Sequence, residues 1–223
     1  MFSQYAVKII GQNPCLMHND NLSWSEQLKK WQIDPDNQAE SVKGDDRSPA
    51  WTWVGSLYVE GGKVVVPADN CMTMLREGGS RVPTGKRGGT YKKQTCSGLV
   101  VDQSSWPLVG PKGEISVAPI MELVNRHEKD FSKYEQLALD LGFSLFVKRA
   151  RIGQAKHVRV RPRFDVWSAQ GTCTVLDETI TDKVFEAIWR EAGERSGFGD
   201  WRPSSPQRPG PFGKFKCEIT KIK

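Results

Sequence analysis

Hydrophobic and polar positions alternate with strand period at the chain's start. Tyr5, Val7 and Ile9 interleave with Ala6, Lys8 and Ile10, which predicts a first strand ended by Gly11 and Pro14. Helical spacing follows, with Trp24, Leu28 and Trp31 on one face and Ser23 as cap, predicting a helix over 24–32. Residues 34–46 are polar and read as a loop. Ser48–Pro49 resembles an N-cap with proline at N1 and opens an aromatic helix through Leu57. A strand at 63–66 follows the Gly61–Gly62 turn. A helix over 70–77, capped by Asp69, ends at Gly78–Gly79. Residues 79–97 show no apolar periodicity and read as a long loop. Short strands are predicted at 98–101 and 115–117, and helix in two pieces over 118–141.

The last third has the strongest pattern. Residues 143–147 read as a strand. Residues 158–167 and 172–176 read as a hairpin with 168–171 as its turn. Thr181 caps a helix over 182–192 whose apolar face is Val184, Phe185, Ile188 and Trp189. A Gly/Pro loop spans 193–213, and 215–219 form a closing strand. The predicted order is β, α, then β-β-α-β. That is an α+β, ferredoxin-like (RRM-like) core with a basic β-hairpin, in a single domain over 1–223 with about 34–141 inserted.

Charge adds direction to this outline. The 32 Lys and Arg against 26 Asp and Glu give a net charge of +6. Residues 1–60 carry 5 basic and 8 acidic groups, whereas 148–163 carry 7 basic groups and no acid. The stretch 76–93 carries 6 basic groups and 1 acid. Pooled positive charge suits a polyanion partner. No run of eighteen apolar residues predicts a membrane span, and no basic, then apolar leader is visible; a cytoplasmic protein is expected. The 5 cysteines are widely spaced without a C-x-x-C pair, which argues against a zinc site or disulfide framework.

Three segments are candidates for chemistry. In Lys156–Trp167, strand alternation places Arg159, Arg161 and Arg163 on one face and Val158, Val160, Phe164 and Val166 on the other. Guanidinium forks match phosphate oxygens. Lys148, Arg149, Arg151, Lys156 and His157 extend the patch. A solvated edge strand protected by charge is the plain alternative, but seven unpaired basic groups repel one another. In Arg81–Lys93, Lys86, Arg87, Lys92 and Lys93 supply charge and Tyr91 a stacking ring. This segment lacks the G-K-[ST] ending of a phosphate-binding P-loop, so an NTPase is rejected. In Gly193–Phe215, Trp201, Arg202 and Phe212 interleave aromatics, arginine and glycine, as suits backbone cradling and base stacking; a self-packed loop over the core is the alternative.

The final helix, glycine-rich loop and closing strand resemble the hallmark of the repeat-associated RAMP superfamily, the ferredoxin-like RNA-binding subunits of CRISPR effector complexes. The basic hairpin and basic insertion are similar to the thumb and finger of the backbone subunit of Cascade-type complexes. The loop departs from the usual run of clustered glycines, being spread by proline and tryptophan. The resemblance implies guide-like single-stranded RNA bound along the basic side, and self-assembly into a filament or a place in a larger ribonucleoprotein. A phage or mobile-element relative is the variant of that reading.

Catalysis is not expected. His157 sits among Arg and Lys and reads as a phosphate contact rather than a general acid. Neither His18 nor His127 belongs to a metal-ligand motif. A binding protein for single-stranded RNA, or DNA, without cofactor or metal is the expectation. The rivals are a RAMP-type endoribonuclease using His157, a phage-encoded single-stranded DNA-coating or recombination protein, a CRISPR inhibitor, and a protein-binding role for the acidic residues 20–46.

Overall fold

The structure, a computed structural model, describes residues 2–85, 88–152 and 155–223. The chain runs β1 (Ser3–Gly11), β2 (Cys15–Leu16), α1 (Leu22–Ile33), β3 (Val59–Glu60), β4 (Lys63–Pro67), α2 (Ala68–Gly79) and α3 (Lys92–Gly98). It continues through β5 (Leu99–Val101), β6 (Ser105–Gly110), β7 (Gly113–Glu114), α4 (Ala118–Asn125) and α5 (Phe131–Asp140). Then come β8 (Ser144–Ile152), β9 (Ala155–Phe164), β10 (Ser168–Val175), α6 (Asp182–Glu191) and β11 (Phe215–Lys221). The class is α+β, with every ladder between these strands antiparallel.

The main sheet has the order β11-β1-β10-β6-β4-β3, with β5 also on β10 and β7 on β6. The period-2 pattern of β1 decides its orientation. Tyr5, Val7 and Ile9 are buried, and Lys8 is exposed on the other face. Helices α2 and α6 cover the buried face. Tyr5 stacks on Phe185 of α6 at 4.3 Å, and Trp106 of β6 stacks on Trp189 at 5.9 Å. Gly78 of α2 lets the two helices meet, since a Cβ there would strike the Ile188 carbonyl. Thr181 Oγ1 caps α6 by accepting from the Val184 N–H.

A second sheet, β2-β9-β8, stands apart from the first in its hydrogen bonding. Its apolar side packs Phe164 on Phe143 at 5.1 Å, with Trp53 and Tyr134 behind them. Buried Trp167 follows β9 and contacts both Phe198 and Phe215. One contiguous core therefore runs under both sheets.

Several elements differ from the pattern-based expectation. The strand at 158–167 does not pair with 172–176. Residues 155–164 pair with 144–152, and 168–175 form one unbroken strand alongside β1, Lys8 opposite Gln170. Gly171 suggested a turn, but it is a packing glycine: any side chain there would overlap the Trp106 indole. The expected helix over 48–57 is a short 3-10 turn at Thr52–Ser56; the Ser48 hydroxyl instead binds the Glu40 carbonyl and accepts from Val42 N–H. The helix α1 is capped by Asn21, not Ser23. Residues 79–97 are not all loop, because 92–98 form α3 against α2, with Gly79 packed on Thr95. The segment 34–141 contributes β4, β5 and β6 to the main sheet. Cys15, Cys71 and Cys173 are buried and Cys217 is half-buried, whereas Cys96 of α3 is exposed. Burial pushes the Cys71 thiol up to about 12.

Candidate nucleic-acid interface

The β8–β9 ribbon and the loop 197–213 face each other across a groove of about 560 Å³. The ribbon's register brings side chains together in pairs. Phe146 lies opposite Arg161, and Lys148 opposite Arg159, on the same face. The loop's shape follows from its glycines. At Gly199 (φ 82°) a side chain would collide with the Leu16 carbonyl, and at Gly213 (φ 75°) with the Phe198 carbonyl. Those close approaches carry backbone bonds: Asp200 N–H to the Leu16 carbonyl at 2.7 Å and Phe198 N–H to the Gly213 carbonyl at 2.8 Å. Trp201 and Asp200 are thereby held beside β9.

Six basic residues line the groove, namely Lys148, Arg149, Arg151, Arg159, Arg161 and Arg208, against one acid, Asp200. Aromatic rings sit among them. Trp201 lies 5.5 Å from Phe212, which lies 5.7 Å from Phe146. The Lys148 ammonium is 3.4 Å from the centre of the Trp201 ring, a cation–π contact.

The arginines are not unpaired, as their sequence context suggested. Asp46, from the acidic loop, is 11% exposed and binds the Nη1 atoms of Arg159 at 3.0 Å and of Arg161 at 3.3 Å. Its carboxylate also accepts from the Val160 N–H at 3.1 Å. Arg161 is only 15% exposed and reaches Asp200 at 3.4 Å and His18 Nε2 at 3.2 Å. Burial, then the charge of Arg161, lowers the pKa of His18, so the ring stays neutral near neutral pH and accepts from the guanidinium. Arg163 pairs with Asp165 at 2.6 Å. Arg149, Lys156 and Arg208 have no ion-pair partner among the described residues and are exposed.

The structure thus brings two of the three sequence segments together. Lys148, Arg149, Arg151, Arg159, Arg161 and Trp201 line one groove, and Phe212 supports it from behind Trp201 and Phe146. Lys156, His157 and Arg163 belong to the ribbon but not to the lining. His157 packs its ring against Gly44, with Nδ1 buried and without a hydrogen bond. Arg202 is committed to the loop's own architecture, bonding Ser204, the Gly199 carbonyl and Glu77. Tyr91 is half-buried against the core, and Lys92 and Lys93 open α3. The positive end of a helix gains nothing from those two cations. None of the three lines the groove. Lys86 and Arg87 lie outside the described residues.

No family model matches the chain, and no curated protein matches it. The function therefore rests on the groove's chemistry. Among the described residues no cluster of three or more His, Cys, Asp or Glu could hold a metal ion. No described helix is long and apolar enough to cross a membrane.

Sequence reasoning missed five participants, among them Asp200, which adjoins Trp201 in the glycine-rich loop. Phe146 was legible, because it shares a strand face with Lys148 two positions on. Arg208 sits within the Gly/Pro loop's basic residues. Asp46 and His18 had no local signal, since only the tertiary fold carries residues 18 and 46 to β9.

Proposed function

We propose that this protein binds single-stranded nucleic acid, RNA in the first instance, in the groove between the β8–β9 ribbon and the loop 197–213. The observation that carries the reading is the convergence there of six basic side chains with a Trp–Phe–Phe cluster. Cations that track a backbone beside rings that accept bases are the two components of single-strand binding. Phosphate contacts in the groove come from Lys148, Arg149 and Arg208 in the first place, and Lys156 extends the basic surface along the ribbon beyond it. Arg159 and Arg161, held by Asp46 and Asp200, present fixed guanidinium edges.

The strand arrangement supports a ferredoxin-like core. β1 lies between β10 and β11, β5 lies beyond β10, α2 and α3 precede β5, and α6 connects β10 to β11. That is the order a βαββαβ unit requires. On this reading the β8–β9 ribbon is an elaboration between the second and third core strands. The same features support kinship with the RAMP superfamily, with the ribbon in the place of a thumb. Assembly into a filament or a larger ribonucleoprotein, and a cytoplasmic setting, belong to that proposal. We propose a binding role without catalysis, because His157 lies against Gly44 rather than in the groove.

The test is direct. The freshly purified protein is checked for co-purifying nucleic acid by its absorbance at 260 and 280 nm, then titrated with unstructured RNA and DNA oligonucleotides over a range of salt. Binding with a steep salt dependence, reduced by roughly 1.5 in slope in Arg149→Ala/Arg208→Ala, is the expected result. A protein that neither carries nor binds oligonucleotides ends the proposal. Stronger binding of DNA than RNA moves it to the DNA-coating class.

A further inference from the structure

Trp201 is an unusual residue in an expensive position. Its φ is 50°, in the left-handed region that bulky side chains avoid. The loop enforces this conformation. Trp201 N–H donates to its neighbour's Asp200 Oδ1 at 2.8 Å, and Gly210 packs so closely on the indole and the Trp201 carbonyl that any side chain there would overlap both. Strain of this kind persists only where the surroundings over-determine it, and it concentrates at binding sites. The ring it fixes is not open. The Lys148 ammonium lies over the ring 3.4 Å from its centre, so no base can stack on that face while the ammonium remains. Lys148 is itself exposed, on a strand whose neighbour Arg149 is unpaired among the described residues, and a single cation–π contact with the half-buried Trp201 ring is weak enough to exchange.

We infer that Lys148 and Trp201 form an exchange site that selects nucleic acid over other polyanions. This rests on the proposed binding in the groove. A phosphate draws the Lys148 ammonium off the ring, and the adjoining base takes the vacated face. Phosphate alone gains the lysine but loses the cation–π contact. A base alone must displace the cation without compensation. Only a ligand carrying both in sequence satisfies the site, which makes Trp201 and Lys148 specificity-determining residues.

The experiment compares three probes: an oligouridylate, the same strand with abasic sites, and inorganic polyphosphate of matched charge. Wild type should prefer the oligouridylate over the other two by about tenfold or more. Trp201→Ala should abolish that preference and raise polyphosphate affinity by about two- to fivefold, because the Lys148 ammonium no longer has a ring to leave. Trp201→Phe, which keeps a ring, should retain part of it and guards against loss of the loop's fold. Lys148→Met should weaken all three probes, lower the salt slope by about one, and raise the ratio of intact to abasic strand by about two- to fivefold, because the ring is already bare. An unchanged ratio in both Trp201→Ala and Lys148→Met, or a wild type that binds the three probes alike, overturns the exchange site and leaves the groove reading in place. Failure of wild type to bind any of the three overturns the groove reading itself.

Discussion

Strands β1 and β9 obey the same alternation and solve opposite problems. In β1, Tyr5, Val7 and Ile9 are buried under α2 and α6, and the other face leaves Lys8, with Gln170 opposite it on β10, in water. In β9 the apolar face is buried as well, through Val160 and Phe164, but the second face is also partly covered. There, Asp46 and Asp200 reach across to Arg159 and Arg161. A sheet face left to solvent needs only polar side chains. A charged face brought close to other loops needs counter-charges at defined positions. The difference separates the part of the molecule that supplies stability from the part that displays a fixed pattern of charge.

The largest effect should come from the first region. Trp106→Ala removes a fully buried indole stacked on Trp189 and should cost about 3–5 kcal/mol in denaturant unfolding. A cost below 1 kcal/mol would mean that the α6 face is not the main core. Asp46→Ala tests the second region. It strands Arg161 with 15% exposure and one remaining carboxylate, and should cost roughly 3 kcal/mol. Asp46→Asn should lose less. If Asp46→Ala is neutral, the arginines are held by Asp200 alone and the contrast with β1 weakens.

Smaller changes sharpen the picture. Thr181→Ala removes the α6 cap and should cost about 1 kcal/mol without altering oligonucleotide affinity. Arg149→Ala/Arg208→Ala should do the reverse, shifting stability by no more than about 0.5 kcal/mol while reducing the salt slope of binding. The pH effect is the smallest. His18 has a lowered pKa in the folded chain, so the unfolded chain binds more protons as pH falls below the ordinary value of 6.5. Stability is then fully present above that value and declines with acidification through the folded pKa. His18→Gln should flatten that decline in a series of melts across pH 5–7.

Much of the scaffold was legible because its signals are local. The β1 alternation, the Thr181 cap and the apolar face of α6 are all set by residues within one element. The errors arose where one residue type serves two purposes. Gly171 looked like a turn because nothing nearby says that Trp106, sixty-five residues earlier, needs its space. Pro49 suggested a helix start, but the Ser48 hydroxyl was already engaged with Glu40 and Val42. The groove was half legible. Its cations come from strand alternation and its aromatics from a glycine-spaced loop. Its acidic counterparts arrive from residues 46 and 200, and charge neutrality between distant segments leaves no periodic trace.

The cysteine distribution bears on how such a molecule can be watched. Cys96 on α3 is the one exposed thiol, and the others are buried or half-buried. A thiol-reactive dye applied to the folded protein is therefore directed to a single place, one turn beyond Lys92 and Lys93. The native chain thus carries its own attachment point for a fluorophore beside the basic segment that lies outside the groove. Quenching or energy transfer from a labelled oligonucleotide would report whether a strand running through the groove continues as far as α3, with no engineered residue required.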